Sequence, residues 1–226
     1  KNAVNPRIHV FISSSDIHIL HQLRRNREQV VEMAVDMVKR AKKYCSNVEF
    51  SPMDATRTGT DFLFLMLEEV IRAGATTVNI ADTVGYAIPS QFSELIRNIK
   101  NKVEGIDDVT ISVHCHNDLG MATANSIAGA LGGARQVEGA INGIGERAGN
   151  TSIEEVIMSI ATRSDLMNVY TDVNHVELYP ASKLVERLSG MQVQNNKAIV
   201  GRNAFRHSSG IHQDGVLKMR ETYEIM

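Results

Sequence analysis

The feature that most constrains this chain is a repeated alternation of short β-branched runs with helical patterns. Five runs, at Arg7–Ile12, Asn47–Phe50, Thr76–Ile80, Val109–Cys115 and Arg135–Ile141, predict strands. Apolar residues dominate both faces of most of them, which predicts burial on both sides. Helical patterns stand between the runs. The clearest, Arg27–Tyr44, sets Val30, Ala34, Met37, Val38 and Ala41 on one stripe behind Asn26 as N-cap. Others fall at Thr60–Ala73, Pro89–Lys102, Leu119–Leu131 and Ser152–Thr162. Pro89 suits a first helical turn, and Thr151 with Glu154 has capping-box spacing. This βα order predicts a parallel sheet with right-handed crossovers.

Such a sheet can close in two ways. A doubly wound fold concentrates its ligand chemistry at one switch point, whereas a barrel spreads it over the C-terminal ends of many strands. Here nearly every strand ends in a polar cluster: Ser13 to Asp16, Ser51 to Asp54, Asp82 to Gly85, His114 to Asp118, and Asn142 to Asn150. The expectation is therefore an α/β fold of the TIM (β/α)8 type. Five strands do not close such a barrel, so about three βα units are expected to precede Lys1. Residues 1–165 read as the C-terminal five βα units of a catalytic domain. Residues 166–226 read as a linker and the start of a small appended subdomain, with a short helix near Ser182–Leu188 and an irregular segment after it.

Bulk properties narrow the class. A formal net charge of −2 over 226 residues gives no electrostatic reason to expect nucleic acid or an anionic membrane as partner. No apolar run approaches the roughly 20 residues that span a bilayer. Residues 1–6 lack the apolar core of a signal peptide. Two cysteines, Cys45 and Cys115, cannot make a disulfide framework, and a reducing cytoplasm is the simple reading.

Three places carry candidate chemistry. His114 and His116 flank Cys115 at the end of an apolar strand, so alternation points both imidazoles to one face and the thiol to the other. They either chelate a divalent metal or are ordinary polar residues at a strand end. Asn117 and Asp118 add acceptors of the kind that ligand imidazoles require. The segment Asn142 to Asn150 has three glycines ahead of a helix, and serves either to bring backbone close to an anion or simply to turn tightly. It has neither dinucleotide-binding nor P-loop spacing. His212, in Gly210 to Gly215, is either a general acid or base or a structural residue. His18, His21, His175 and His207 read as surface or packing residues.

Taken in order, these motifs resemble the 2-isopropylmalate synthases, within the metal-dependent group that includes the homocitrate and citramalate synthases. The resemblance runs through Pro6 to His9, Ser15 to His18, Val48 to Pro52, Gly74 to Ile80, Asp82 to Tyr86, Ser112 to Gly120, Asn142 to Asn150, Asn196 to Gly201 and Ser209 to Lys218. It implies a TIM barrel with small subdomains behind it. It also implies that His114 and His116 bind a divalent metal ion (Zn, Mn or Mg) and that Asn150 supports it. His9, Ser51 and Thr83 would line a 2-oxo acid pocket, with Thr83 on the substrate carboxylate. His212 would be the catalytic histidine of the tail. The family's acidic ligand belongs to a first strand not found here, and its catalytic tyrosine is expected beyond Met226. Many relatives carry glutamate where Met53 stands and proline where Ala81 stands; Asp54, beside Met53, would point differently.

The reaction implied is a metal-assisted Claisen condensation of acetyl-CoA with 2-oxoisovalerate, followed by thioester hydrolysis, in a cytoplasmic homodimer formed through the appended subdomain. The rivals are a relative using pyruvate or 2-oxoglutarate, and a non-catalytic scaffold. The 226 residues alone are expected to be inactive and poorly soluble, because open sheet edges invite aggregation.

Overall fold

A computed structural model describes residues 3–224. The chain forms two compact units: one runs to Gly139 and takes in Gly145–Thr151, and the other joins Ala140–Ile144 to the residues from Ser152 onward.

In the first unit strands and helices alternate: β1 (Ile8–Ser13), α1 (Asp16–His18), α2 (Arg27–Lys42), β2 (Val48–Met53), α3 (Thr60–Arg72), β3 (Thr77–Asp82), α4 (Pro89–Lys102), β4 (Thr110–Cys115), α5 (Ala122–Gly132) and β5 (Gln136–Glu138). The strands form one sheet in the order β1-β2-β3-β4-β5, and every pair is parallel. Strand order follows chain order without reversal, so the sheet has no switch point. That is the winding of a barrel wall and not of a doubly wound sheet.

Helix α2 starts as its sequence directs. The Asn26 side chain accepts from Gln29 N (2.8 Å) and the Gln29 side chain accepts from Asn26 N (3.1 Å), a reciprocal cap. Its stripe Val30, Ala34, Val38 and Ala41 is buried, as are Leu63, Met66, Leu67 and Val70 of α3 and Phe92, Ile96 and Ile99 of α4. These residues meet the strand face that carries Val48, Phe50, Val78, Ile80, Ile111 and Val113, and together they make the core.

Several expectations need correction. The opposite face of the sheet is not apolar. Alternation gives it His9, Glu49, Ser51, Thr77, Asn79, Ser112, His114, Gln136 and Glu138, and the register places His9 beside Glu49, Asn79 beside Ser112, and His114 beside Glu138. Strand β5 covers only three residues of the expected Arg135–Ile141, and Ile141 opens a separate 3-10 turn. The helix expected at Leu119–Leu131 begins at Ala122. Thr151 caps no helix: it is buried in the first unit, where its hydroxyl meets Ser126 Oγ at 2.7 Å. Between α1 and α2 the chain makes one π-type turn, Ile19–Leu23, that the sequence did not suggest.

The second unit contains α6 (Ile153–Thr162), α7 (Ser164–Met167), α8 (Leu178–Ser189) and α9 (Gly210–Lys218). Ser152 precedes α6 and makes no side-chain cap bond. Asn142 ties the unit together: its backbone N–H donates to buried Glu154 (3.1 Å), its Nδ2 donates to the Ser182 carbonyl (3.1 Å), and Ser182 Oγ donates to its Oδ1 (2.5 Å). Lys197 adds bonds to Ser152 (2.6 Å) and Glu155 (2.5 Å). Helix α8 is longer than the expected Ser182–Leu188. The stretch read as irregular holds α9, where Lys218 pairs with Asp214 one turn earlier at 2.7 Å.

Candidate metal centre

The polar strand ends of the first unit converge on His114 and His116. Alternation along β4 sends both rings to the polar face, and their Nε2 atoms stand 3.2 Å apart. Each ring is held from behind. His114 Nδ1 lies 3.1 Å from Glu138 Oε2, and His116 Nδ1 lies 2.6 Å from the Thr83 carbonyl oxygen. Both partners are acceptors, so both Nδ1 atoms carry the proton and both Nε2 atoms present lone pairs. Two lone pairs facing one another repel unless a proton or a cation lies between them. At metal–nitrogen lengths of about 2.0–2.1 Å, one ion reaches both atoms.

Asn150 supplies a third donor group. It forms a β-bridge with His116, and its side-chain Oδ1 is buried without a hydrogen-bond partner. Gly145 packs so closely on this amide that a Cβ there would lie 2.6 Å from Asn150 Cγ, so the absence of a side chain at 145 leaves room for Asn150. Among the described residues no group of three or more His, Cys, Asp or Glu side chains has metal-binding geometry. The candidate set is two imidazoles and one amide oxygen, and an orphaned oxygen with two facing lone pairs fits a bound cation.

Electrostatics suit that assignment. Burial pushes the His116 imidazole below its ordinary range, with His114 and Arg147 adding to the effect and the Thr83 carbonyl opposing it. A neutral imidazole is the form that ligates. Burial alone would raise the Glu138 carboxyl, but hydrogen bonds from His114 and Glu49 outweigh it and hold the group at about 2. Glu49, 2% exposed, is pushed up to about 7 by burial and by Glu138 beside it, against the pull of Arg7 and Gln136.

The remaining expected residues fall as follows. Ser51 Oγ lies 2.7 Å from His9 Nε2 and accepts from Asn79 Nδ2 at 3.0 Å; Asn79 Nδ2 also donates to Glu138 Oε2 at 2.9 Å. One polar chain thus links His9, Ser51, Asn79, Glu138 and His114. Thr83 Oγ1 accepts from Asp54 N at 2.8 Å, which leaves its hydroxyl proton free to point elsewhere. Asp54 is fully buried and committed: Ser15 Oγ donates to it (2.5 Å) and Arg57 grips it through Nε (2.9 Å) and Nη2 (2.7 Å). His212 belongs to the second unit, where its ring packs against Tyr223 (centroids 4.6 Å apart) and His207 (5.9 Å).

Asn117 and Asp118, read from sequence as acceptors for the imidazoles, serve other partners. Asn117 Oδ1 accepts from Ala122 N at the start of α5 (3.2 Å), and Asp118 pairs with Arg147. The imidazoles use Glu138 and Thr83 instead. Glu138, Asn79 and Arg147 were missed; the signal for the first two was their alternating position on the histidines' side of neighbouring strands.

A sheet wound in chain order, with polar residues gathered at the C-terminal strand ends, defines the fold class as part of a TIM-type barrel. The chain belongs to the HMGL-like family, which matches residues 1–185. Residues 199–226 match the homocitrate synthase post-HMGL domain-like family. A relative named 2-isopropylmalate synthase from Syntrophus aciditrophicus (strain SB) is 60% identical over 226 residues, covering 100% of this chain and 44% of the relative. Another of the same name, from Pelotomaculum thermopropionicum, is 59% identical over 226 residues, covering 100% of this chain and 45% of the relative. The chain therefore spans a little under half the length of the curated relatives it matches. A solved hydroxymethylglutaryl-CoA lyase from Pseudomonas aeruginosa shares the fold, with TM-score 0.71 at 18% identity over 83% of this chain and 64% of that one.

Proposed function

We propose that the chain is part of the catalytic region of an acyltransferase that condenses acetyl-CoA with 2-oxoisovalerate to give 2-isopropylmalate. A divalent metal ion (Zn, Mn or Mg) would be held by His114, His116 and Asn150. The observation that carries this reading is the pair of facing Nε2 lone pairs, each created by an acceptor behind its ring. The names of relatives at about 60% identity support the choice of reaction.

When bound, the ion would supply Lewis acidity toward the carboxylate and keto oxygens of the 2-oxo acid. The chain's own residues do the rest. Thr83, whose oxygen is already fixed by the Asp54 N–H, points its free proton at the substrate carboxylate. His9 and Ser51 form a paired polar edge that seats the acceptor acid, with Asn79 fixing the serine oxygen. His212 takes a proton from the acetyl methyl group, the resulting carbon nucleophile attacks the keto carbon as the C=O π bond opens, and the keto oxygen takes up a proton to become the product hydroxyl. Water then cleaves the thioester and releases the thiol. The reading carries with it a boundary near residue 165, a homodimer through the segment that follows, a cytoplasmic setting, and no nucleic-acid or membrane partner. Among the described residues no helix is long and apolar enough to cross a membrane.

The test is thiol release from acetyl-CoA with 2-oxoisovalerate, pyruvate and 2-oxoglutarate, alongside metal content. The enzyme used should have the relatives' full length and carry this chain. The expected result is a preference for 2-oxoisovalerate, and loss of both metal and activity in His116→Ala. Undiminished metal content in that variant would remove the ligand assignment, and a much higher kcat/KM for pyruvate or 2-oxoglutarate would move the chain to another branch.

A further inference from the structure

The guanidinium of Arg147 sits at the back of the centre just described, and the reaction outlined above gives it no part. Its Nε donates to Asp118 Oδ1 (2.8 Å) and its Nη2 to Asp118 Oδ2 (2.9 Å), a two-point grip. The same Nη2 lies 2.7 Å from the Thr83 carbonyl oxygen and 2.9 Å from His116 Nδ1. Counting hydrogens resolves the crowding. Nη2 has two protons, and Asp118 takes one. If the second went to His116 Nδ1, that nitrogen would be an acceptor facing the Thr83 oxygen at 2.6 Å, lone pair against lone pair. If it goes to Thr83 O, that carbonyl receives both Arg147 and the His116 Nδ1–H, one on each lone pair, and every group is satisfied.

The backbone is built around this arrangement. Arg147 adopts a left-handed conformation (φ 52°), costly for a residue with a Cβ. Gly85, two residues after Thr83, has φ 63°, and a Cβ there would lie 2.5 Å from Asp118 Oδ2 and 2.9 Å from the His116 carbonyl oxygen. Leu119 N donates to the Gly85 carbonyl at 3.2 Å, so the turn after β3 and the loop after β4 are tied on both sides of the carboxylate.

We propose that Arg147 is a positioning residue for the metal centre: gripped by Asp118, it fixes the Thr83 carbonyl as the acceptor that orients the His116 ring. The inference rests on the metal reading above and deepens it. His114 leans on a charged side chain, Glu138, whereas His116 leans on a backbone carbonyl, and a carbonyl at the tip of a turn needs an external brace to hold its direction.

The test uses Zn²⁺ as the only probe, titrated into an enzyme of the relatives' full length that carries this chain, in competition with a chromogenic chelator, with long-range ¹H–¹⁵N NMR of the His116 ring in the metal-free protein. Arg147→Ala is expected to weaken Zn²⁺ binding roughly 10–100-fold, as loss of an outer-shell partner does, and to replace the single Nδ1–H form of His116 with a mixture. Arg147→Lys keeps a charge but lacks the fork; it is expected to fall between Arg147→Ala and the unaltered chain, and it serves as the measurement if Arg147→Ala does not fold. Zn²⁺ affinity and ring tautomer unchanged in folded Arg147→Ala, or in folded Arg147→Lys where it is the measurement, would overturn the inference while leaving the metal reading intact, provided His116→Ala abolishes binding. Binding that survives His116→Ala would overturn both.

Discussion

The two faces of the sheet are made by the same five strands and do opposite things. One face, with Val48, Phe50, Val78, Ile80, Ile111 and Val113, is apolar and closed off by α2 to α5. The other, with His9, Glu49, Ser51, Asn79, Ser112, His114, Gln136 and Glu138, is a hydrogen-bonded network. Stability comes from the first by removal of apolar area from water. The second spends its bonds on orientation: each polar group fixes its neighbour, and little net stabilisation follows because water would satisfy the same groups in the unfolded chain. The contrast explains how a site can be held rigidly without contributing much to the fold.

The largest expected effect lies on the apolar face. Phe50 is fully buried, and Phe50→Ala should cost about 3–5 kcal/mol in urea unfolding followed by circular dichroism. A loss below about 1 kcal/mol would mean that the helix-covered face does not carry the stability assigned to it.

Next comes Glu49, whose effect should appear as a pH dependence. Its carboxyl sits at about 7 in the folded chain against an ordinary 4.5, because of burial first and the Glu138 bond second. Folding therefore favours the protonated acid. That contribution is complete below pH 4.5 and is lost as pH rises to about 7. Glu138, held at about 2, loses its contribution as pH falls from about 4.5 to about 2, which lies below this window. Glu49→Gln, which mimics the neutral acid, should flatten the decline between pH 4.5 and 7; a slope equal to that of the unaltered chain would assign it to another group.

The smallest effect belongs to Gln136, which accepts from Arg7 (2.7 Å) and donates to Ser112 (2.9 Å) and Glu49 (3.3 Å). Gln136→Ala should cost about 1 kcal/mol, since Arg7 keeps its bond to Glu49. If it cost as much as Phe50→Ala, the polar face would be a stabilising element and the contrast would fail.

Much of this was legible in the sequence, for reasons that also explain the gaps. The βα rhythm, the N-cap at Asn26, and the shared side of His114 and His116 depend on spacing within one segment, and spacing is what a sequence displays. Glu138 escaped because its partnership with His114 depends on which strands pair and in what register. The Thr83 carbonyl escaped for a deeper reason: it is backbone, identical in every residue, and only the turn after β3 aims it. Reading both faces of the strands as apolar let the β-branched residues of one face speak for the other. Helix α9 was hidden by Gly210 and Gly215, weak helix formers that here sit at its first position and near its end.

Cys115 shows what the alternation along β4 protects. Its sulfur lies on the core face, fully buried, and burial pushes the thiol up to about 12, so it stays protonated. A slip of one residue in strand pairing would exchange two nitrogen donors for one sulfur at the mouth of the proposed centre, turning a donor set suited to borderline ions into one that prizes soft, thiophilic metals. Pairing fidelity in this strand is therefore also a filter on the elements the proposed centre would accept, and on the thiol's exposure to oxidants.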